Sequence, residues 1–205
     1  IHDIGIAYQD VIGQFYDAGC RNLQLDDCTW GALVGDAAEH RYHLLGVDLD
    51  EVKQQLLTVN NLALENRPAD MTITSHICRG NYHSTYFTSG PYDTVADYVF
   101  AKENVDALYL EYDDARSGGF APLAKVSPDK KVVLGLITTK SPVLEQKEDI
   151  IRRIHEAAKY IPLDRLYLSP QCGFASCEIG NKLTEEEQWA KLALVREIAE
   201  EVWGC

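Results

Sequence analysis

The chain has 205 residues, 46% of them hydrophobic and 25% charged, which is typical of a folded domain and unlike a disordered chain. Its formal net charge of −13 argues against nucleic-acid binding, which needs a basic surface. No apolar run of about 18 residues occurs and no basic segment followed by an apolar one opens the chain, so we expect neither a membrane span nor a signal peptide. The length suits a single domain over residues 1–205.

Helical and strand-like patterns alternate along the chain. The first helix is predicted from apolar residues at positions 8, 11, 12, 15 and 18. In chain order, the patterns predict helices over 7–18, 48–65, about 93–102, 143–160 and 184–203. They predict strands over 22–25, 71–77, 106–111, 132–137 and 165–168. Thr184 and Glu187 have the spacing of a capping box, and residues 30–46, 79–92 and 113–120 are predicted to be loops, the first with helical turns.

One helix followed by five strand–helix units predicts a parallel α/β architecture with right-handed crossovers. Functional sites in such folds are built from the loops at the carboxyl ends of the strands. A (β/α)8 barrel needs eight strands and usually about 250 residues. The five predicted strands therefore indicate either an open sheet or the C-terminal part of a barrel.

Four potential metal ligands lie at or just beyond the ends of three predicted strands. His76 and Cys78 are two residues apart after the 71–77 strand, so both point to the same face. Glu111 ends the next strand, and Cys172 follows the last one. Imidazole, thiolate and carboxylate are all zinc ligands, so we hypothesise that these four residues hold one zinc ion. The alternatives are a hydrogen-bonded histidine beside a core cysteine, a solvated glutamate and a cysteine that packs at a turn.

Such a site has a defined chemistry. Beside two thiolates, the carboxylate of Glu111 is the most replaceable ligand. A substrate thiol that displaced it would bind as a thiolate and react as a nucleophile at neutral pH. The site would therefore alkylate a thiol on sulfur.

The remaining cysteines, Cys20, Cys28, Cys177 and Cys205, are predicted to be small buried or incidental residues. Disulfide frameworks belong mainly to short secreted chains. We therefore expect a cytoplasmic protein with reduced thiols.

Five motifs occur in the order in which they occur in the C-terminal domain of cobalamin-independent methionine synthase and its short single-domain relatives. They are LQLDD at 23–27, HIC at 76–78, LE at 110–111, GLITTKSP at 135–142 and LSPQCG at 168–173. The chain resembles this family from about residue 8 to residue 202. The resemblance implies a (β/α)8 TIM barrel of the methionine synthase and uroporphyrinogen decarboxylase type, of which this chain would form the C-terminal five or so βα units.

The resemblance also implies site roles. It implies that His76, Cys78, Glu111 and Cys172 bind Zn²⁺, that homocysteine accepts the methyl group to give methionine, and that Asp26 binds the homocysteine amino group. An anionic side chain at a strand end is suited to an ammonium group, although a helix N-cap is the alternative for Asp26. On the same basis we count Asp26 as a candidate catalytic residue and, with its neighbour Asp27, as substrate-binding.

Lys140 departs from the family pattern, because the full-length synthase carries a histidine there as general acid or proton shuttle. We count Lys140 as a candidate catalytic residue that holds a substrate carboxylate or an anionic donor; the alternative is a solvated cation. The 79–92 loop, with Arg79, Asn81 and His83, is longer than in the synthase and looks more like that of the short relatives.

Asp113, Asp114 and Arg116 closely follow Glu111. We expect these residues to orient the ligand loop and to line the substrate pocket, since groups behind the ligands tune metal sites. The alternative is a surface ion pair.

The sequence therefore predicts a zinc-dependent methyltransferase of the 5-methyltetrahydropteroyltriglutamate–homocysteine type, with methylfolate or a methyl-corrinoid as donor and no nucleic-acid or membrane partner. Related zinc barrels alkylate another thiol, coenzyme M, which is a second candidate acceptor. A non-catalytic thiol-binding relative and a zinc-free decarboxylase of the porphyrinogen type are the competing functions.

Overall fold

A computed structural model describes residues 1–204, which form a five-stranded sheet with helices between the strands. The strands are β1 (Asn22–Asp26), β2 (Thr72–Ile77), β3 (Ala107–Glu111), β4 (Lys131–Ile137) and β5 (Leu166–Pro170). All neighbours are parallel, and the order in the sheet is the order in the chain. Doubly wound sheets reverse their strand order at a switch point, whereas barrels add strands sequentially. The protein therefore has an α/β fold whose sheet is that of a partial TIM barrel.

Eight α-helices occur in the described residues. They are α1 (His2–Asp17), α2 (Cys28–Ala32), α3 (Gly35–Leu44), α4 (Leu49–Leu64), α5 (Asp93–Ala96), α6 (Val99–Lys102), α7 (Lys147–Ala157) and α8 (Glu185–Trp203). The predicted capping box of α8 is confirmed, with both reciprocal bonds between Thr184 and Glu187. No helix among residues 1–204 is long and apolar enough to cross a membrane.

The core lies on the helix-covered side of the sheet. Strand β4 is buried at every position after Lys131, as expected for a strand in the middle of a parallel sheet. Ile150 and Ile154 of α7 and Ile198 of α8 belong to the same buried cluster. The sheet is thereby held firmly enough to position side chains at the carboxyl ends of its strands.

The first helix differs from its prediction. Helix α1 begins at His2, and of its predicted apolar stripe only Ile12 is buried; Tyr8, Val11 and Phe15 are 52%, 43% and 48% exposed. The helix packs on α4 with the face that carries Gly5 and Ile12. Of this face only Ile12 belonged to the predicted stripe, because Gly5 lies before the predicted start of the helix at residue 7.

Two other helical predictions were wrong in part. Residues 30–46 are mostly helical, in α2 and α3, and the predicted 93–102 helix is two short helices. Helix α7 begins at Lys147 and not at 143, because the carboxylate of Glu145 accepts from the Thr138 N–H at 2.8 Å and from Lys191 Nζ at 3.0 Å, which holds 143–146 as a loop.

A buried carboxyl group lies between α2, α4 and α6. Glu103 is fully buried, and its Oε1 accepts from Asn60 Nδ2 at 2.6 Å and from Trp30 Nε1 at 3.4 Å. Its Oε2 has no hydrogen-bond partner among the described residues. Burial raises the pKa of Glu103 from 4.5 to about 7.

We predict that Glu103→Gln flattens the dependence of stability on pH. Between about pH 4.5 and pH 7 the folded state holds a proton on Glu103 that the unfolded state has lost, so the free energy of unfolding falls as pH rises through this window. The variant lacks this loss and should melt at a higher temperature than the wild type at pH 8. Thermal unfolding of the wild type and of Glu103→Gln at pH 5 and pH 8 measures this difference, with the exposed Glu39→Gln as control. An equal change of melting temperature with pH in the wild type and in Glu103→Gln would contradict the assignment.

Candidate metal centre

The four predicted ligands lie together at the carboxyl ends of the strands. His76 is in β2, Cys78 follows β2, Glu111 ends β3 and Cys172 follows β5. Each offers one donor atom, and these four atoms all lie within 4.8 Å of one another. Cys78 and Glu111 are buried, while His76 and Cys172 are half-buried.

The spacing of the donors suits a tetrahedral ion. The sulfur atoms of Cys78 and Cys172 are 3.9 Å apart, and two thiolates at about 2.3 Å from one tetrahedral zinc are separated by about 3.8 Å. His76 Nε2 lies 3.7 Å from Glu111 Oε1 and, although buried, has no hydrogen-bond partner among the described residues. An unpartnered imidazole nitrogen that faces two sulfurs and a carboxylate is what a metal site requires, so the residues present fit zinc.

Two glycines allow the ligand segments to approach each other. A Cβ on Gly31 of α2 would lie 2.1 Å from the Cys78 carbonyl oxygen, so the helix packs directly against the backbone that carries this ligand. A Cβ on Gly135 of β4 would lie 2.9 Å from the Cα of Gln171. The segment after β5 therefore crosses close over β4 and brings Cys172 toward β2 and β3.

The two thiols share a proton. Their hydrogen bond and the neighbouring His76 together lower the pKa of Cys172 to about 4, and the same hydrogen bond raises the pKa of Cys78. Burial lowers the pKa of His76, but the neighbouring Cys172 thiolate and the Glu111 carboxylate raise it by more. Cys172 is thus poised as a thiolate, the form of cysteine that binds metals.

Glu111 is held on all sides. Its Oε1 accepts from the Arg79 N–H at 3.1 Å, and its Oε2 accepts from Arg116 at 3.2 Å. The buried hydroxyl of Tyr92 accepts from the Glu111 N–H at 3.0 Å and donates to its carbonyl at 3.3 Å. Burial raises the pKa of Glu111, while the nearby His76 and Lys140 favour its ionised form.

Arg116 is part of a buried network and not of a surface ion pair, so that alternative was wrong. Its guanidinium donates to Asp113 at 2.8 Å and to Glu111, and it also pairs with Asp114. Side chains of Arg116 and Asp113 are only 6% and 1% exposed. Burial raises the pKa of Asp113 against the effect of Arg116. The network holds Glu111 from behind, as expected of residues that orient a ligand.

Asp26 and Asp27 have different surroundings. Asp26 ends β1 opposite His76, and it is exposed at the strand end. Asp27, and not Asp26, caps α2: its Oδ1 accepts from the Thr29 N–H at 3.0 Å, and its Oδ2 accepts from Asn60 at 2.7 Å. The cap expected as the alternative for Asp26 is therefore made by its neighbour, and within residues 1–204 the carboxylate of Asp26 accepts only from the Cys28 thiol, at 3.9 Å.

One cavity of about 420 Å³ joins Asp26 to the metal cluster. It is lined by Gln24, Asp26, His76, Tyr109, Ser169, Pro170, Gln171, Cys172, Gly173 and Ser176. Asp27, Asp113 and Arg116, which were expected to bind substrate, are not among these residues. An acidic side chain and two of the candidate metal ligands thus face a space large enough for an amino acid.

Lys140 is half-buried and hydrogen-bonded, so a purely solvated cation was the wrong alternative. Its Nζ donates to Asn81 Oδ1 at 2.8 Å and to Gln171 Oε1 at 3.4 Å. Burial lowers the pKa of Lys140, while Glu111 and Cys172 act in the opposite direction.

The sequence pattern missed one further thiol. Cys28 was expected to be buried or incidental, yet it is exposed, and its sulfur forms a group with Asp26 and Cys78 whose donor atoms lie within 4.8 Å. Its position directly after the LQLDD motif was the available signal. Cys20 and Cys177 are half-buried and not buried, while Cys205 lies outside the described residues.

The family model described as "Cobalamin-independent synthase, Catalytic domain" matches residues 1–201. The chain belongs to this family. The match agrees with the resemblance and not with a porphyrinogen decarboxylase. YxjG of Bacillus subtilis, itself uncharacterized, is 51% identical to this chain over 203 residues, which are 98% of this chain and 54% of YxjG.

Other members of the cobalamin-independent synthase family are also similar. A protein of Listeria monocytogenes, provisionally assigned as a vitamin-B12 independent methionine synthase, has a crystal structure that matches with a TM-score of 0.76 and 40% identity over 98% of this chain and 54% of its own. A Bacillus velezensis protein named 5-methyltetrahydropteroyltriglutamate–homocysteine methyltransferase is 26% identical over 172 residues, 83% of this chain and 20% of that protein. The chain spans about half the length of YxjG and of the Listeria protein.

We predict that Arg116→Gln weakens metal binding while the fold persists. The change removes the cation that holds Glu111 Oε2, and loss of such supporting groups typically lowers metal affinity about 10- to 100-fold. Competition with a chromogenic chelator measures the affinity for a divalent metal. Arg196→Gln, which removes an exposed arginine paired with Glu200, is the control and should bind metal as the wild type does; equal affinity in all three proteins would show that Arg116 does not support the centre.

Proposed function

We propose that this protein is a zinc-dependent S-methyltransferase that methylates homocysteine to give methionine, and that residues 1–205 form one domain, the C-terminal part of a (β/α)8 barrel. The proposal rests on one observation, the convergence of His76, Cys78, Glu111 and Cys172. Family membership supports the same reaction class. The name of the Bacillus velezensis relative supports homocysteine as acceptor and methylfolate as a class of donor.

In this proposal the four clustered residues hold the metal. Zinc bound there would lower the pKa of a thiol acceptor, so that the acceptor reacts as a thiolate at neutral pH. Cys78, Cys172 and His76 supply soft and borderline donors that remain attached, while Glu111 is the donor that an incoming thiol replaces most readily. Arg79 and Arg116 keep the Glu111 carboxylate at the centre.

Two further residues orient the reactants. Asp26 lines the same cavity as His76 and Cys172, so its carboxylate pairs with the ammonium of the amino-acid acceptor. Its neighbour Asp27, used by α2 and Asn60, holds the strand end in place. The acceptor sulfur then forms a bond to the methyl carbon while the donor keeps the electron pair of the bond that breaks.

Lys140 acts on the leaving group. Its ammonium has three N–H donors, of which two point to Asn81 and Gln171. The third N–H stabilises the electron pair that stays on the donor after methyl transfer. A lysine thus takes the place of the proton-transferring histidine implied by the resemblance.

The site works only with reduced sulfur. Cys78 and Cys172 lie close enough to pair with each other on oxidation, and a disulfide would remove two metal ligands at once. We therefore propose that the protein works in a reducing compartment such as the cytoplasm.

We predict that Cys172→Ser abolishes both zinc binding and methylation of homocysteine. Removing one of two thiolates leaves a site too weak to hold zinc through purification. Metal content by mass spectrometry and methionine formation measure the two effects. Cys20→Ser, a substitution remote from the cluster, should keep both, and a Cys172→Ser variant with one zinc per chain would refute the ligand set.

We predict methyl transfer to homocysteine from at least one of two donors, methylfolate and methylcobalamin. A non-catalytic thiol-binding protein would hold zinc and bind homocysteine but form no methionine with either donor. Methionine formation measured by mass spectrometry separates the two functions, with Lys140→Ala as the variant that should bind zinc normally and turn over slowly. Coenzyme M as an alternative acceptor tests the choice of thiol.

A further inference from the structure

Asn81 joins three of the loops that surround the metal centre. Its Oδ1 accepts from Lys140 Nζ at 2.8 Å and from Asn181 Nδ2 at 2.9 Å. Its Nδ2 donates to the Gly173 carbonyl at 2.6 Å and to Ser176 Oγ at 2.7 Å. Every donor and acceptor site of the carboxamide is thus used, although Asn81 comes from the loop after β2, Lys140 from the loop after β4, and the others from the segment after β5.

The turn that follows Asn81 is held against the same segment. His83 and Ser84 have φ angles of 45° and 64°, which residues other than glycine adopt only when their surroundings require it. The Ser84 N–H donates to Asn181 Oδ1 at 2.8 Å, and Ser84 Oγ accepts from the Lys182 N–H at 2.8 Å. The loop therefore has little freedom to carry Asn81 away.

Lys140 depends on this frame for its position. A lysine side chain has several rotatable bonds and samples many positions unless its ammonium is held. Asn81 Oδ1 is its closer hydrogen-bond acceptor and Gln171 Oε1 the more distant one. Both acceptors are neutral amides, so the bonds fix the ammonium without cancelling its charge.

We propose that Asn81 is a positioning residue, which holds the Lys140 ammonium beside the metal centre so that its remaining N–H is aimed at the methyl donor. The proposal rests on the role assigned above to Lys140 in methyl transfer. It gives a function to Asn81 in the 79–92 loop, in addition to the support that Tyr92 gives to Glu111.

The kinetic test compares Asn81→Ala with wild type in the zinc-loaded enzyme. We expect kcat for methyl transfer to fall about 10- to 100-fold, since misplacing one group by about 1 Å costs this much, while the KM for homocysteine changes less than about threefold and zinc content stays the same. Asn81→Asp keeps an oxygen that faces Lys140 but adds a negative charge beside the ammonium, so it should hold Lys140 in place while recovering only part of kcat. Asn61→Ala, which removes a carboxamide that joins α4 to the Lys102 carbonyl at 2.9 Å, is the matched control.

A double-mutant cycle separates positioning from a general loss of structure. If Asn81 acts through Lys140, the variant with both residues changed to alanine is no slower than Lys140→Ala alone. Multiplicative losses would overturn the proposal.

A crystal structure of Asn81→Ala tests the same idea without any activity. We expect Lys140 Nζ to move away from Gln171 Oε1 while the donor atoms of His76, Cys78 and Glu111 keep their places. A Lys140 ammonium that stays within hydrogen-bond distance of Gln171 would refute the positioning role. This test holds whether or not any methyl donor supports turnover. A wild-type protein that binds no zinc, or that turns over with no methyl donor, would instead count against the proposed function.

Discussion

The close approach of the segment after β5 to β4 is the contact on which the metal centre depends. Glu111 and Cys172 come from strands that are separated by β4, and Glu111 is paired with Gly135 in the register of the sheet. Any side chain at position 135 would meet the backbone of Gln171 and the Leu110 carbonyl oxygen, each 2.9 Å from the added Cβ. Because glycine stands there, the chain can fold inward over β4, and the last thiolate reaches the ligands carried by β2 and β3.

The parts of the site that follow local periodicity were predictable. Two residues that are separated by one position on a strand share a face, and His76 and Cys78 do so. The carboxyl ends of parallel strands meet at one edge of a sheet, and this rule placed Glu111 near them. The parallel sheet followed from the strand–helix alternation, whereas its sequential strand order was implied only by the family resemblance. These inferences use geometry that the backbone imposes on any sequence.

The parts that depend on tertiary contacts were not predictable. Asn181 lies 100 residues from Asn81 in sequence, and no spacing rule connects them. Arg116 was read either as a support for the ligand loop or as a surface charge, and only its burial among three acidic side chains decides between the two. The face of α1 was misjudged for a related reason, since Gly5 is buried through close packing and not through its own hydrophobicity.

The candidate metal centre holds several ionisable groups at buried positions, and burial by itself disfavours their charged forms. Glu111 is fully buried beside two thiols, and burying an acid without a compensating cation destabilises its ionised form. Arg116 compensates only in part, because it is shared with Asp113 and Asp114. Buried ion pairs of this kind contribute little net stability, and their value lies in fixing geometry. A divalent cation at the cluster would supply the charge that the arginine leaves unmatched, which accounts for an arrangement that stability by itself does not favour.

The same reasoning distinguishes Lys140 from the other cations of the site. Arg116 is paired directly with carboxylates, whereas the hydrogen-bond acceptors of Lys140 are the amide oxygens of Asn81 and Gln171. Neutral acceptors orient an ammonium but leave its field intact, and in a half-buried setting that field is weakly screened. A charge kept in this way is available to a partner that acquires negative charge during the reaction, as the leaving group of a methyl donor does. In the proposed mechanism, the lysine that stands where the resemblance implies a histidine would preserve electrostatic help for the leaving group and change the group that provides it.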